Sequence, residues 1–392
     1  MTTLLNLILF ALALPAATMS LYLLVFTLLS RAPSMALRSS QRLRFDVVVP
    51  AHNEAAAIEG VVANLRKLDW PADGFRVLVV ADNCTDSTAA LARAAGAEVL
   101  ERKDIQRRGK GHALDFAFQA SQARGWAYAV VVVDADTEVS ENLLEAFAAR
   151  IESGAKAIQA HYGVLNSHAS WRTRLMTIAM ASFHRVRSRA RERLQLSCGI
   201  RGNGWCITHG LLRQVPYRAF SLTEDIEYGI DLGLAGYRVH YADEAHVAAV
   251  MVPGEEAART QRQRWEDGRL QLIRSKTLAL LREAAGRGDR VCLDLALDLL
   301  VLPLSYLAIN VAVLIVVAGG ALLLEPSLEG WLWLGLACGL SLLLYVLRGW
   351  QLSGVGIRGL VDLARAPLFV LWKVLLMLRA HQSAEWVRTK RE

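Results

Sequence analysis

Three uncharged apolar runs decide what this chain can fold into. Met1–Ser30, Leu299–Leu324 and Trp331–Leu347 contain no Asp, Glu, Lys or Arg. A helix needs about 20 apolar residues to cross ~30 Å of hydrocarbon. The first two runs are long enough with some tilt, and the third is just long enough. The long segment between the first run and the second has an ordinary soluble composition. The chain therefore reads as a globular domain with one membrane span before it and two after it. Its 392 residues suit that arrangement, and the runs account for much of its 54% hydrophobic content.

The first run lacks a basic start and exceeds the apolar core of a signal peptide, so it reads as a retained span. Arg31, Arg38, Arg42 and Arg44 follow it before any acid appears. Positive charge marks the cytoplasmic side. The N-terminus is thus expected outside and the central domain in the cytoplasm, at a cell (inner) membrane. "EPSLEG" would turn the chain on the far side, and Arg348 and "VRTKRE" would lie inside. "APLFVLWKVLLML", broken by Lys373, reads as an interfacial helix rather than a fourth span. The expected layout is a span over 1–30, a globular domain over 45–275, two spans over 296–348, and an interfacial helix with a basic tail over 359–392. The formal charge of +7 suits a membrane surface; nothing in the pattern calls for nucleic acid. The five cysteines form no CxxC pair, which argues against a zinc site or a disulfide framework.

Within the central domain, apolar strands alternate with helices. "FDVVVPA", "RVLVVAD", "AEVLER" and "AYAVVVVD" are the strands; "AAAIEGVVANLRKL", "DSTAALARAAG" and "GKGHALDFAFQAS" are the helices. Continuous apolar strands imply burial on both faces, hence an α/β domain with a parallel sheet. Ligands in such sheets sit beyond the carboxyl ends of the strands. Glu54, Asp82, Asp134 and Asp136 fall there. In "DAD", Asp134 and Asp136 are two like charges one residue apart at the end of a buried strand. They repel unless something positive lies near. A hard divalent cation, shared with phosphate oxygens, meets that need. Taken alone, "DAD" reads equally as an acidic loop or a helix cap.

Four motifs stand in order: "VVADNCTD", "DAD", "TED" and "QRQRW". Together they make residues 45–274 and the flanking spans resemble the membrane-bound inverting glycosyltransferases of family 2, with the Rossmann-like GT-A fold. The last motif resembles the QxxRW of cellulose, chitin and hyaluronan synthases. The resemblance implies a nucleotide-sugar donor, with UDP as its nucleotide, a Mg2+ or Mn2+ ion, and a lipid-linked or glycan acceptor. It implies that Asp82 contacts the base, that Glu54 lies near the nucleoside, and that Lys110 lies at the nucleotide. Asp134 would touch ribose or metal, and Asp136 would hold the cation. Asp225 would be the catalytic base, with Glu224 beside the acceptor. Gln261, Arg264 and Trp265, at i, i+3 and i+4 of one helix, would close over the diphosphate. Asp115 stands where the family commonly has asparagine.

"TED" is also a good helix start on its own terms. Thr223 is expected to cap a helix whose first turn holds Glu224 and Asp225. Trp205, in "CGIRGNGWCITHGLL", would stack on a sugar or belong to the core. Arg185, Arg189 and Arg193 repeat at i, i+4, i+8 on a predicted helix, a face suited to lipid headgroups or a lipid diphosphate and equally to solvent. Two alternatives stay open: a processive exopolysaccharide synthase and a catalytically silent, membrane-anchored nucleotide-sugar sensor. Three spans enclose little polar volume, so a separate flippase or export protein is an expected partner.

Overall fold

The computed structural model describes residues 2–34, 38–251 and 255–365, the side chains of 255–262 excepted. The chain divides into two compact units. Among these residues, one takes in 32–34, 38–167 and 191–296 (252–254 excepted); the other takes in 2–31, 168–190 and 297–365.

The first unit is built on an eight-stranded sheet. Its strands are β1 (Phe45–Ala51), β2 (Phe75–Asp82), β3 (Glu98–Arg102), β4 (Ala129–Val132), β5 (Thr137–Val139), β6 (Ala157–Val164), β7 (Trp205–Thr208) and β8 (His240–Ala249). Their spatial order is β3-β2-β1-β4-β7-β6-β8-β5. The first four are parallel, and β1, β2 and β4 are largely apolar and buried, as strands covered on both faces must be. Alternate residues of β1 enter different cores: Val47 and Val49 join one layer, Val48 the other.

The expectation of a parallel sheet fails beyond β4. There β7 runs antiparallel to both β4 and β6, and β5 runs antiparallel to β8. The sheet is mixed. β6 and β8 still pair in parallel, and the short strands β5 and β7 run the other way. Their loops carry the acidic motifs, and the antiparallel pairings fold those loops back beside β4.

Among the described residues of the second unit, three helices are long and apolar enough to cross a membrane: Thr2–Leu29, Leu304–Leu324 and the stretch Pro326–Ser353. A 3-10 turn, Pro326–Leu328, stands at the predicted reversal. Trp331 donates to Asn6 at 2.9 Å, and Arg348 donates to Ser30 Oγ at 2.8 Å. The first and third helices therefore run in the same direction. The predicted segment 366–392 lies outside the described residues.

The arginine-rich segment also belongs partly to this unit. Helix Trp171–Met180 passes through a π turn, Ala181–Val186, into helix Arg187–Arg193. Gly349 permits the close approach: a Cβ there would lie 1.8 Å from Ser182 Oγ. Tyr345 donates its hydroxyl to the Ser182 carbonyl at 2.8 Å.

Candidate active site

β1 and β2 end in turns that need left-handed backbone, and asparagine, which tolerates it, supplies Asn53 and Asn83 at φ 55° and 51°. Asn53 and Thr85 join the two turns, Thr85 N–H donating to Asn53 Oδ1 at 2.7 Å. Glu54 is held by its amide, which donates to Thr88 Oγ1 at 2.8 Å. Asp82 is buried and bonded through Oδ1 to Arg102 at 2.6 Å and to Asn83 Nδ2 at 3.0 Å. Sequence reasoning missed Arg102. Its signal was faint: a basic residue ending a short edge strand, in register opposite Asp82.

The acidic motifs converge on one lysine. Gly109, at φ 117°, opens the helix Lys110–Arg124. Lys110 Nζ donates to Asp134 Oδ1 at 2.5 Å and to the Gly202 carbonyl at 2.6 Å. Burial would lower the Lys110 pKa, but the charges of Asp134, Glu224 and Asp225 raise it above its ordinary value. Gly202, at φ 81°, lies against the base candidate: a Cβ there would be 3.2 Å from Asp225 Oδ2. Gly111 allows the same helix to approach the loop before "TED", since a Cβ there would fall 2.5 Å from the Ala219 carbonyl oxygen. His112 stacks on Phe220 of that loop at 4.3 Å.

Glu224 and Asp225 begin helix Glu224–Leu234. Burial pushes the Glu224 carboxyl up to about 7; the Asp225 charge adds to this, and Lys110 opposes it. Burial also raises Asp225, against the pull of Lys110 and Arg201. Both carboxyls are thus held above their ordinary range by burial, which favours proton exchange at this site. Thr223 occupies the cap position, but its side chain makes no capping bond, contrary to expectation. It is buried, and the helix Glu255–Arg287 packs over it: a Cβ at Gly268 would meet Thr223 Cγ2 at 2.6 Å. Two turns further on, Lys276 Nζ pairs with Asp231 Oδ1 at 2.6 Å. Arg264 and Trp265 lie one turn before Gly268, with Trp265 40% exposed. The Gln261 side chain lies outside the described residues.

A second group went unpredicted. Asn203 is fully buried, accepts from the Asp134 amide at 3.1 Å, and donates to Thr137 Oγ1 at 2.7 Å. Tyr162 bonds to the Asn203 side chain; burial and the nearby charges of Asp134 and Asp136 raise its phenol pKa. Nothing in "GNG" marks this asparagine in the sequence; its burial and its two bonds appear only in the fold.

The structure places three features whose sequence reading was open. Trp205 is 2% exposed and packs edge-on against Phe118 at 5.8 Å, so it is core and no sugar platform. Asp115 bonds along its own helix to Gln119 at 2.9 Å. The arginine stripe does not form one solvent-facing basic face. Arg185 donates to the Leu352 carbonyl, Arg189 is buried, and only Arg193 is exposed. The sheet unit holds Arg191 on Asp294 at 2.7 Å, and the other unit holds Arg187 on Asp298 at 2.9 Å. Spacing alone could not reveal those carboxylate partners.

A Rossmann-like half-sheet with acids at its strand ends, joined to a mixed half beside a helix that opens on a second carboxylate pair, resembles the GT-A class of sugar-transferring folds. The comparisons agree. The family model "Glycosyltransferase like family 2" matches residues 42–268. The chain belongs to that family and is a glycosyltransferase. It is 28% identical over 232 residues to a beta-monoglucosyldiacylglycerol synthase of Synechocystis, covering 57% of this chain and 47% of that one. It is 38% identical over 114 residues to the glycosyltransferase AglD of Haloferax volcanii, covering 28% and 18%. The matched stretches span less than half the length of these relatives. A mannosyltransferase from Pyrobaculum calidifontis, solved with GDP-Man and Mn2+, shares the fold at a TM-score of 0.52. It is 20% identical, with 88% of this chain and 99% of that chain covered.

Proposed function

We propose that this enzyme transfers a sugar from a nucleotide sugar, first among them a UDP-sugar, to a lipid-linked or glycan acceptor at a membrane, with inversion. One observation carries the reading. Lys110 bonds Asp134 and also the Gly202 carbonyl, and Gly202 abuts Asp225. A donor site and a base are thereby set side by side. The relatives support the acceptor class, since one is a synthase of a glycosylated diacylglycerol.

Asp82, Glu54 and Lys110 would hold the nucleotide. Asp134 and Asp136 would hold a divalent cation. Among the described residues no cluster of three His, Cys, Asp or Glu groups could hold a metal ion. That fits Mg2+ or Mn2+, which bind through one or two carboxylates with water and phosphate oxygens completing the shell. When bound, the cation neutralises charge developing on the leaving diphosphate. Arg264 would add positive charge there. Asp225 would take the acceptor hydroxyl proton as that oxygen attacks the anomeric carbon and the bond to the diphosphate breaks. A single displacement inverts the anomeric centre.

The parallel course of the first and third apolar helices supports the expected topology, because both would cross from outside to inside. Arg31 and Arg348 then mark the cytoplasmic end, and the catalytic domain follows there. The deciding experiment incubates membranes containing the enzyme with a panel of labelled sugar nucleotides and separates lipid-extractable product from long polymer. Lipid-extractable label from one nucleotide sugar is expected. Long polymer would favour a processive synthase, and no transfer from any donor would overturn the reading.

A further inference from the structure

We infer that Asn203 is a positioning residue that locks the two aspartates of the "DAD" turn in place and fixes their distance from Asp225. The Asp134 amide can only donate, so the Asn203 atom facing it at 3.1 Å is the carbonyl oxygen. The Nδ2 group therefore faces Thr137 Oγ1, which accepts at 2.7 Å. One side chain thus grips the chain on both sides of Asp136. The Tyr162 phenol bonds to the same amide and faces both aspartates.

The backbone that carries Asn203 is itself held from behind. Gln159 is fully buried. Its Nε2 donates to the carbonyls of Asn203 at 2.7 Å and Gly204 at 3.1 Å, and its Oε1 accepts from the Arg201 amide at 2.8 Å. Gly204 N–H donates to Val132, the last residue of β4, at 2.9 Å. Gly202, the residue before Asn203, accepts from Lys110 through its carbonyl, and a Cβ on it would lie 3.2 Å from Asp225 Oδ2. Residues 201–204 therefore form a rigid strut, one residue facing the base and the next facing the aspartates. Groups that orient metal ligands from behind typically change cation affinity by about 10- to 100-fold when removed.

The inference rests on the proposed cation site at Asp134 and Asp136. Its test uses full-length enzyme in detergent and Mn2+ alone, with free Mn2+ followed by electron paramagnetic resonance. Asp136→Ala is the reference and should abolish the site. Asn203→Leu keeps the volume and loses both hydrogen bonds; Mn2+ affinity should fall about 10- to 100-fold. Asn203→Asp keeps the acceptor for the Asp134 amide and reverses the other bond, its carboxylate accepting from the Thr137 hydroxyl; with the turn gripped on both sides again, affinity should recover to within a few-fold of the parent. If Asn203→Leu does not fold, Thr137→Val removes the outer partner alone and should weaken Mn2+ several-fold in folded protein. Parent affinity in folded Asn203→Leu or Thr137→Val, or failure of folded Asn203→Asp to recover, overturns the inference and leaves the cation site standing. No Mn2+ binding by the parent, or binding undiminished in Asp136→Ala, overturns the cation site itself.

Discussion

Lys110 and Asp134, 24 residues apart, meet at 2.5 Å, and that one contact joins the helix Lys110–Arg124 to the aspartate turn. The same ammonium group feels Glu224 and Asp225. Three carboxylates around one cation form a charge balance that tolerates little change. A second cation at Asp134 would compete with Lys110 for that oxygen. The lysine would then be released toward a diphosphate, a ligand whose oxygens replace the lost partner.

Replacing Lys110 by Met should therefore cost roughly 10²-fold or more in turnover. It should also move the acid limb of the rate profile. Lys110 lowers the pKa of Asp225, the proposed base, and of Glu224 beside it, so its removal raises both and shifts the limb to higher pH. The profile of kcat against pH checks both. An unmoved limb would show that Lys110 does not act on the carboxylate pair.

Glu224 gives a stability prediction with a definite sign. Its folded pKa of about 7 lies above the ordinary value of 4.5. Between those values the folded state binds more protons than the unfolded state, so ionisation on rising pH removes stability. Glu224→Gln escapes that loss. Its thermal midpoint should exceed the parent's at pH 8 and converge on it near pH 4.5. Differential scanning fluorimetry across that range decides the matter; a constant offset at every pH would contradict the proposed cause.

Gly202→Ala should destabilise and inactivate together. A left-handed residue with a Cβ costs about 1–2 kcal/mol, and this Cβ would crowd Asp225 Oδ2 at 3.2 Å. A lowered melting point with a disproportionate fall in kcat is expected. Unchanged kcat in folded protein would mean that Gly202 does not position the base.

Much of this architecture was legible in the sequence, for physical reasons. The strands β1, β2 and β4 are apolar on both faces, and that signal has one structural meaning. The apolar helices are set by length alone. The order of the four motifs placed Asp134, Asp136 and Asp225 near strand and helix ends. What could not be read depends on long-range partners. Trp205 looks the same in sequence whether it faces a sugar or Phe118. The arginines from Arg185 to Arg193 look like a charged face until Asp294 and Asp298, a hundred residues away, are set against Arg191 and Arg187. Asn203 carries no pattern at all: its importance comes from two bonds formed only when β7 inserts beside β4. The mixed half of the sheet was hidden because short strands such as Thr137–Val139 have too few residues to show a period.

Asp225→Asn isolates the proposed base. The substitution preserves shape and removes the proton acceptor. General-base catalysis contributes about 10²- to 10⁴-fold, so transfer should fall by at least roughly 10²-fold. Nucleotide binding should survive, because Asp82, Glu54 and Lys110 are untouched. A second effect follows from the neighbouring acid. The Asp225 charge raises the Glu224 pKa, so in Asp225→Asn Glu224 should ionise at lower pH than in the parent. Residual activity, if carried by Glu224, would then have its acid limb displaced downward. Isothermal titration with UDP and a pH profile of the residual rate measure the two halves separately. Equal loss of UDP binding and turnover would make Asp225 a structural residue of the helix start rather than the base.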